Sequence, residues 1–393
     1  MTRSAISAHP LYAAMGTTVF ERMSALARAH GAINLGQGFP DDDGPPSLRE
    51  AAARALRERS NQYPPSPGLP ELRDAVARFY AERQGLALGR DHVIVTSGAT
   101  EGLAAAFFAL IRPGDEAILF TPAYDAYAPL IRRAGGTPVA VPLRPPHWRY
   151  ERAAIEAAIT PRTRLMVVND PLNPAGSVAS ADNLAMLAEL CVARDLFAVC
   201  DEVWETVRFD GAAHRSLMTF PGMPERAVKL GSAGKVFGLT GWKVGWMIAA
   251  PELAAVLGKA HQFLTFTTPP ALQWAVADGL AHDAVIDGLV DGWAATRAML
   301  AEAIADAGYV ALPNAATWFT CIDLAASGIA LGDVEFCDRA VAEAGVATIP
   351  LSAFGESGQP SHLVRLCHCK PAALLHEAAA RLGAFRAKLL AET

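Results

Sequence analysis

Leu230-Gly231-Ser232-Ala233-Gly234-Lys235, continued by Thr240-Gly241-Trp242-Lys243-Val244-Gly245-Trp246, sets a lysine in a loop of small residues just after the apolar run Ala227 to Leu230. Taken alone, Lys235 reads as an ordinary solvated surface lysine. Its surroundings change that reading. Further β-rich runs stand at Val93 to Thr96, Ala117 to Phe120, Val139 to Val141, Leu165 to Val168, Phe197 to Cys200 and Val244 to Ala249. Helically spaced stretches such as Glu101 to Ile111 and Ala181 to Arg194 lie between most of them. The alternation predicts an α/β domain with a mostly parallel sheet. Ligands of such a sheet gather beyond the carboxyl ends of its strands, so chemistry is expected just after each run.

Beyond Pro251 the pattern is helical through Asp306. Short strands are expected near Thr317 to Leu324, Gly345 to Ile349 and Leu363 to Cys367, then a helix from Ala372 to Leu390. That predicts a second, smaller α+β domain. Upstream, no strand is expected before Ile33, and the segment up to Pro40 is expected to pack on the small domain or on a partner chain.

The 393 residues are 52% apolar and 19% charged, which excludes a disordered chain. A net charge of -6 offers no basic footprint for nucleic acid. The longest apolar run, Leu103 to Ile111, is about half of the roughly 20 residues a membrane-spanning helix needs. The first residues carry Arg3, His9 and Pro10 without a continuous apolar stretch, so no secretory signal is expected and the cytoplasm is the expected location. The 6 cysteines form no CxxC pair and read as free thiols. Cys367-His368-Cys369 has metal-ligand residue types, but in a strand His368 points away from both cysteines, so ordinary strand residues are expected.

Several familiar signatures are missing. Gly36-Gln37-Gly38 is followed by Pro40 and Asp41, unlike a dinucleotide fingerprint. Gly234-Lys235 lacks the upstream glycine of a phosphate-binding P-loop, and there is no HExxH or GxSxG.

Five segments do stand at strand ends. Thr96-Ser97-Gly98-Ala99-Thr100-Glu101 starts a helix after a strand, an anion cradle to which Ser97 and Thr100 can add hydroxyls. Thr121-Pro122-Ala123-Tyr124-Asp125 offers a ring that can lie on a planar ligand, or else a rim tyrosine. Asn169-Asp170-Pro171-Leu172-Asn173-Pro174-Ala175-Gly176 forms a rigid turn, with the Asn173 amide free to donate to an oxygen. Cys200-Asp201-Glu202-Val203-Trp204 puts acids at the end of a buried strand, where a ligand cation, an arginine or a helix cap must meet them. The fifth is the Lys235 loop. An anion cradle, a stacking ring, an oxygen donor, an acid and a lysine on one sheet are together what pyridoxal 5′-phosphate requires. The lysine forms a Schiff base with its aldehyde, and the acid keeps the pyridine nitrogen protonated.

From about Gly16 to Arg381 the sequence resembles fold-type-I, class I/II aminotransferases, in particular kynurenine and methionine aminotransferase-like and succinyldiaminopimelate aminotransferase-like proteins. The resemblance is carried by INLGQGFPD, NQYPPSPG, NDPLNPAG, SAGK with GWKVGW, and HLVRLC. It implies a mostly parallel seven-stranded sheet flanked by helices. It also implies an N-terminal arm (1–44), a large cofactor-binding domain (45–285) and a small C-terminal α+β domain (286–393). Lys235 is implied as the Schiff-base lysine and proton shuttle, Asp201 as the partner of the pyridinium nitrogen, Asn173 at the phenolic oxygen, and Tyr124 stacked on the ring. Gly98, Ala99, Thr100, Ser232 and Lys243 are the implied phosphate set. Tyr63 resembles the tyrosine that reaches the partner subunit's cofactor, which implies a homodimer with shared active sites. Arg365 matches the clamp for the substrate α-carboxylate, with Gly38 beside it and Phe20, Asn173 and Phe266 toward the substrate.

Two positions depart from the family. Trp204 stands where a tyrosine is usual; its indole N–H is also a donor but is bulkier and reaches differently. Lys243 stands where most class I enzymes have arginine, and it binds phosphate as a point charge. The resemblance implies ping-pong transfer of an amino group from an L-amino acid to a 2-oxo acid. The alternatives are a cysteine-conjugate β-lyase, or a non-catalytic regulatory protein on the same scaffold, for which a DNA-binding segment is not expected before Gly16. The segment Phe263 to Thr267 has no arginine for a side-chain carboxylate. This favours neutral, larger substrates such as methionine, glutamine, aromatic residues or kynurenine, and leaves N-succinyldiaminopimelate open.

Overall fold

The computed structural model describes residues 8–355 and 358–392, so residues 1–7 of the expected N-terminal arm lie outside the described residues. In chain order the strands are β1 (Ile33–Asn34), β2 (Val93–Thr96), β3 (Glu116–Thr121), β4 (Thr137–Pro142), β5 (Thr163–Asn169), β6 (Phe197–Asp201) and β7 (Ala227–Ser232). There follow β8 (Gly245–Ile248), β9 (Val310–Ala311), β10 (Phe319–Asp323), β11 (Val346–Ala347), β12 (Ile349–Pro350) and β13 (Leu363–Cys367).

All of the apolar runs read between Val93 and Ala249 fall in one seven-stranded sheet of order β2-β8-β7-β6-β5-β3-β4. Neighbours from β4 through β7 are parallel, and β8 runs antiparallel between β2 and β7. Residues of β2, β3 and β8 are buried throughout, because helices cover both faces of a parallel-type sheet and leave no solvated side for polar alternation. One face packs with Phe79, Tyr80, Met166, Ala198 and Trp246, the other with Phe107, Ile131, Val167, Val199 and Leu230. The carboxyl ends of β5 and β6 are in register, Asn169 opposite Asp201, so these polar residues emerge side by side.

A second sheet, β12-β13-β10-β9, is antiparallel, and β1 pairs with β11 in parallel. Its core joins Met23, Ala27 and Leu35 from the N-terminal segment to Phe336, Leu366, Leu382 and Phe385. The helix Val19–His30 starts where the Thr18 hydroxyl accepts the Glu21 N–H at 3.2 Å, and ends at Gly31, whose φ of 58° closes it. The helix Asp283–Asp306 spans both cores, placing Ile286 in the first and Leu300 and Ile304 in the second. Among the described residues no helix is long and apolar enough to cross a membrane.

Candidate active site

A cavity of about 410 Å³ opens at the carboxyl ends of β5, β6 and β7 and reaches across to β10 and β13. Its lining includes Phe20, Gly38, Gly98, Ala99, Thr100, Tyr124, Asn173, Asp201, Trp204, Ser232, Lys235, Lys243 and Arg365. Of the site residues expected from sequence, Ser97, Tyr63 and Phe266 are outside it. Tyr63 and Phe266 pack edge to face on each other with ring centroids 5.5 Å apart, and Tyr63 is 82% exposed.

The helix Ala99–Leu110 begins at Gly98, whose φ of 80° is open to glycine without strain. A Cβ at Gly98 would stand 3.2 Å from Lys243 Nζ, so the loop backbone and this ammonium face the same small space. Gly245 keeps β8 close: a Cβ there would meet the Gly98 carbonyl carbon at 2.8 Å. Free N–H groups at a helix start beside a lysine make an anion cradle. Thr100 lines it, but the Ser97 hydroxyl does not join as expected. It is bonded to Thr268 Oγ1 at 3.1 Å, and the Ser97 N–H donates to Glu101.

Asp201 is buried at the end of β6. Tyr127 donates its hydroxyl to Oδ2 at 2.5 Å, while Oδ1 has no hydrogen-bond partner. Burial raises the Asp201 carboxyl above its ordinary range, only partly countered by Tyr127 and the Val203 N–H. A buried carboxylate oxygen without a donor calls for a cationic or N–H partner. Neighbouring Glu202 turns the other way and is met by Lys229, His214 and Ser216, so only Asp201 faces the cavity. Glu202, Glu205 and His214 cluster as metal ligands do, but the Lys229 ammonium bonds to both carboxylates and supplies the positive charge.

Lys235 is half-buried at the cavity wall, and desolvation lowers its amine to about 8. Its Nζ stands 5.0 Å from the centre of the Trp204 ring and 5.3 Å from that of Trp318. Trp204 therefore presents a ring face to the lysine.

Arg365, on β13, is 2% exposed. It donates from Nη1 to Asn173 Oδ1 at 3.1 Å and from Nη2 to the Gly36 carbonyl at 2.8 Å, and its guanidinium carbon lies 3.8 Å from the Phe319 ring centre. Its Nε has no partner, and burial lowers it to about 10. A buried guanidinium with only neutral acceptors is an anion site in waiting. Gly38 is needed beside it, since a Cβ there would meet the Phe319 ring at 2.6 Å. Asn173 is held in turn by Asn169, whose Oδ1 accepts the Asn173 N–H at 2.8 Å and whose Nδ2 donates to the Asp201 carbonyl at 2.8 Å.

Tyr127, Phe319 and Gln37 also line the cavity and were not picked out from sequence. Tyr127 had a local signal: it follows Tyr124 by one helical turn, and the two rings meet edge to face at 5.6 Å. Phe319 and Gln37 had none.

The unpartnered Asp201 oxygen, the glycine cradle against Lys243, the desolvated amine of Lys235 and the Tyr124 ring form a donor set that fits pyridoxal 5′-phosphate. On this sheet they define a fold-type-I pyridoxal-phosphate enzyme. The chain belongs to the aminotransferases of class I and II, whose family model matches residues 30–382. It is 40% identical to the methionine aminotransferase of Escherichia coli over 94% of this chain and 96% of that protein. It is 32% identical to a kynurenine–oxoglutarate transaminase of Dictyostelium discoideum over 92% and 93% of the two chains. The solved N-succinyldiaminopimelate aminotransferase of Mycobacterium tuberculosis superposes with a TM-score of 0.93 at 41% identity, covering 96% of this chain and 100% of that one. The protein is thus an aminotransferase that moves an amino group between an amino acid and a 2-oxo acid, with pyridoxal 5′-phosphate as cofactor.

Proposed function

We propose that the amino donors are neutral L-amino acids with large side chains, such as methionine, glutamine, aromatic residues or kynurenine. One observation carries this. Among the described residues Arg365 is the only arginine lining the cavity, and the Asp125 carboxyl also lines it, within electrostatic reach of Arg365. Once Arg365 takes the α-carboxylate, the remaining cations are Lys235 and Lys243, so a second carboxylate on the substrate finds no partner and meets Asp125. N-succinyl-LL-diaminopimelate is the second reading. The likeness to the mycobacterial enzyme favours it.

In this reading Arg365 and Asn173 orient the substrate, Gly38 lets it approach, and Phe20 and Phe319 form apolar walls. Gly98, Ala99, Thr100, Ser232 and Lys243 would hold the cofactor phosphate, Tyr124 would cover its ring, and Asn173 and Trp204 would donate to its phenolic oxygen. Bound pyridoxal 5′-phosphate supplies an aldehyde that condenses with amines and a ring that accepts electrons. Lys235, lowered to about 8, carries enough neutral amine to take and return a proton at the substrate Cα. Asp201, steadied by Tyr127, holds a proton on the pyridine nitrogen.

The 1–44, 45–285 and 286–393 division is part of the same reading, as is a cytoplasmic homodimer. In this reading Tyr63 and Phe266, which pair with each other and are exposed, complete the partner subunit's site; their exposure supports it. A donor panel against 2-oxoglutarate and the 2-oxo acids of methionine and phenylalanine tests the substrate. Faster turnover of aspartate or glutamate than of methionine, phenylalanine or kynurenine would overturn the neutral-substrate reading. Pyruvate release from cysteine conjugates in the same panel measures β-lyase activity.

A further inference from the structure

Cys367 closes β13 and Cys369 follows two residues later, so both side chains leave the same face. Their sulfurs stand 3.2 Å apart, and both residues are buried, at 0% and 4% exposure. His368 turns away, its Nε2 at 3.1 Å from the Thr317 carbonyl, so the triplet is a dithiol and not a three-ligand metal site.

The two sulfurs are not alike. Burial would raise the Cys367 thiol, but its hydrogen bond with Cys369, the Cys369 backbone N–H and the Lys370 and Arg365 charges outweigh this and bring it down. Cys369 is pushed up by burial and by its neighbour. One sulfur is thus prepared as the nucleophile, with a second thiol already in contact. The pair also belongs to the apolar cluster of Trp204, Trp318 and Phe319, and it interacts electrostatically with Lys235; Trp204, Phe319 and Lys235 line the cavity, so the dithiol lies one layer of side chains behind it.

We propose that Cys367 and Cys369 form a reversible disulfide behind the active site, a modification site whose oxidant is a peroxide. The Cys367 thiolate attacks one peroxide oxygen. The O–O bond breaks, the departing oxygen leaves as water, and Cys367 carries a sulfenic acid. The Cys369 sulfur then attacks Cys367, the S–O bond breaks, the S–S bond forms, and a second water leaves with the Cys369 proton. The two sulfurs together lose two electrons, and the peroxide gains them. Closing the bond draws the sulfurs from 3.2 Å to about 2.05 Å across a very short loop. The pull falls on active-site parts: Cys367 is the sheet partner of Phe319, on which Arg365 stacks, and Cys369 packs with Trp204.

The test is to treat the holoenzyme with hydrogen peroxide, alkylate it in denaturant without reductant, and map the peptides. The Cys367–Cys369 peptide should resist alkylation and weigh two hydrogens less, and dithiothreitol should restore it, while Cys200 and Cys321 alkylate as before. The kcat/KM for amino acids should fall about tenfold or more, because a shift on the order of 1 Å at a positioning group can cost about a hundredfold. Dithiothreitol should restore that as well. Cys369→Ala should keep the untreated activity and abolish the reversible loss. Full alkylation of both cysteines after peroxide treatment, or oxidation of Cys367 alone to sulfinic acid, would overturn the proposal. Because the peptide map does not depend on turnover, it stands apart from any failure of the substrate assignment.

Discussion

Tyr127 donates its hydroxyl to Asp201 Oδ2 at 2.5 Å and leaves Oδ1 buried without a partner. The acid is thereby oriented, with one oxygen committed to the protein and the other turned to the cavity. Burial raises the Asp201 carboxyl, so the free protein holds this charge at a cost that a bound cation offsets. Tyr127→Phe removes the fixed donor. It should retain cofactor but lose about tenfold to a hundredfold in kcat/KM, equivalent to the roughly 1.5–3 kcal/mol of a hydrogen bond to a charged group. Asp201→Ala should lose far more. Single-turnover rates near wild type in Asp201→Ala would show that the carboxylate has no part in the reaction.

Lys235→Ala should bind no cofactor that borohydride can fix to the protein, and should lose its activity. With the wild-type apoenzyme, cofactor loading should speed up as pH rises through about 8, where the desolvated amine loses its proton. A loading rate that is flat across that range would exclude Lys235 as the attacking amine.

Arg365→Lys keeps a positive charge but loses the planar fork and the stack on Phe319. Amino acids should lose roughly a hundredfold or more in kcat/KM through misorientation of the α-carboxylate. Simple amines without a carboxylate should lose much less. Equal losses for both substrate kinds would make Arg365 a purely structural residue.

Trp204→Phe keeps an aromatic face against Lys235 and removes the indole N–H. A donor to the phenolic oxygen favours its ionised form, so the pH midpoint of the cofactor's visible absorbance should rise in Trp204→Phe. Trp204→Tyr should return it to or below the wild-type value. An unmoved midpoint in Trp204→Phe leaves Trp204 with packing alone.

Glu202 gives the fold a dependence on acid that is separate from turnover. Burial would raise its carboxyl, but Lys229 and His214 outweigh burial and hold it at about 2, against an ordinary 4.5. A depressed carboxyl stabilises the folded state above its unfolded value, and that stability is lost as pH falls from 4.5 toward about 2. Thermal unfolding should show Tm dropping through this window. Glu202→Gln should lower stability at neutral pH by about 3 kcal/mol or more, since it leaves the Lys229 charge half-paired, and should flatten the acid decline. An unchanged acid limb in the variant would assign the decline to other groups.

The sequence by itself determined the strands of the large sheet and the loops at their ends, and it marked Lys235, Asp201 and Asn173 as candidates for the chemistry, while Arg365 was marked by the likeness to the family. Lys235, Asp201 and Asn173 each follow a short-range signal, an apolar run with a reactive side chain in the segment at its end. Tertiary structure alone decided which of these groups meet. Arg365 reaches Asn173 across 192 residues and the Gly36 carbonyl across 329, and Tyr127 reaches Asp201 across 74. Strand order set the partners of adjacent acids as well, turning Asp201 to the cavity and Glu202 to Lys229. Local periodicity reports which face of an element is apolar. It does not report which distant element will cover that face, and that pairing is what left Asp201 Oδ1 unsatisfied, Arg365 Nε without a hydrogen-bond partner and the Cys367 and Cys369 sulfurs behind them.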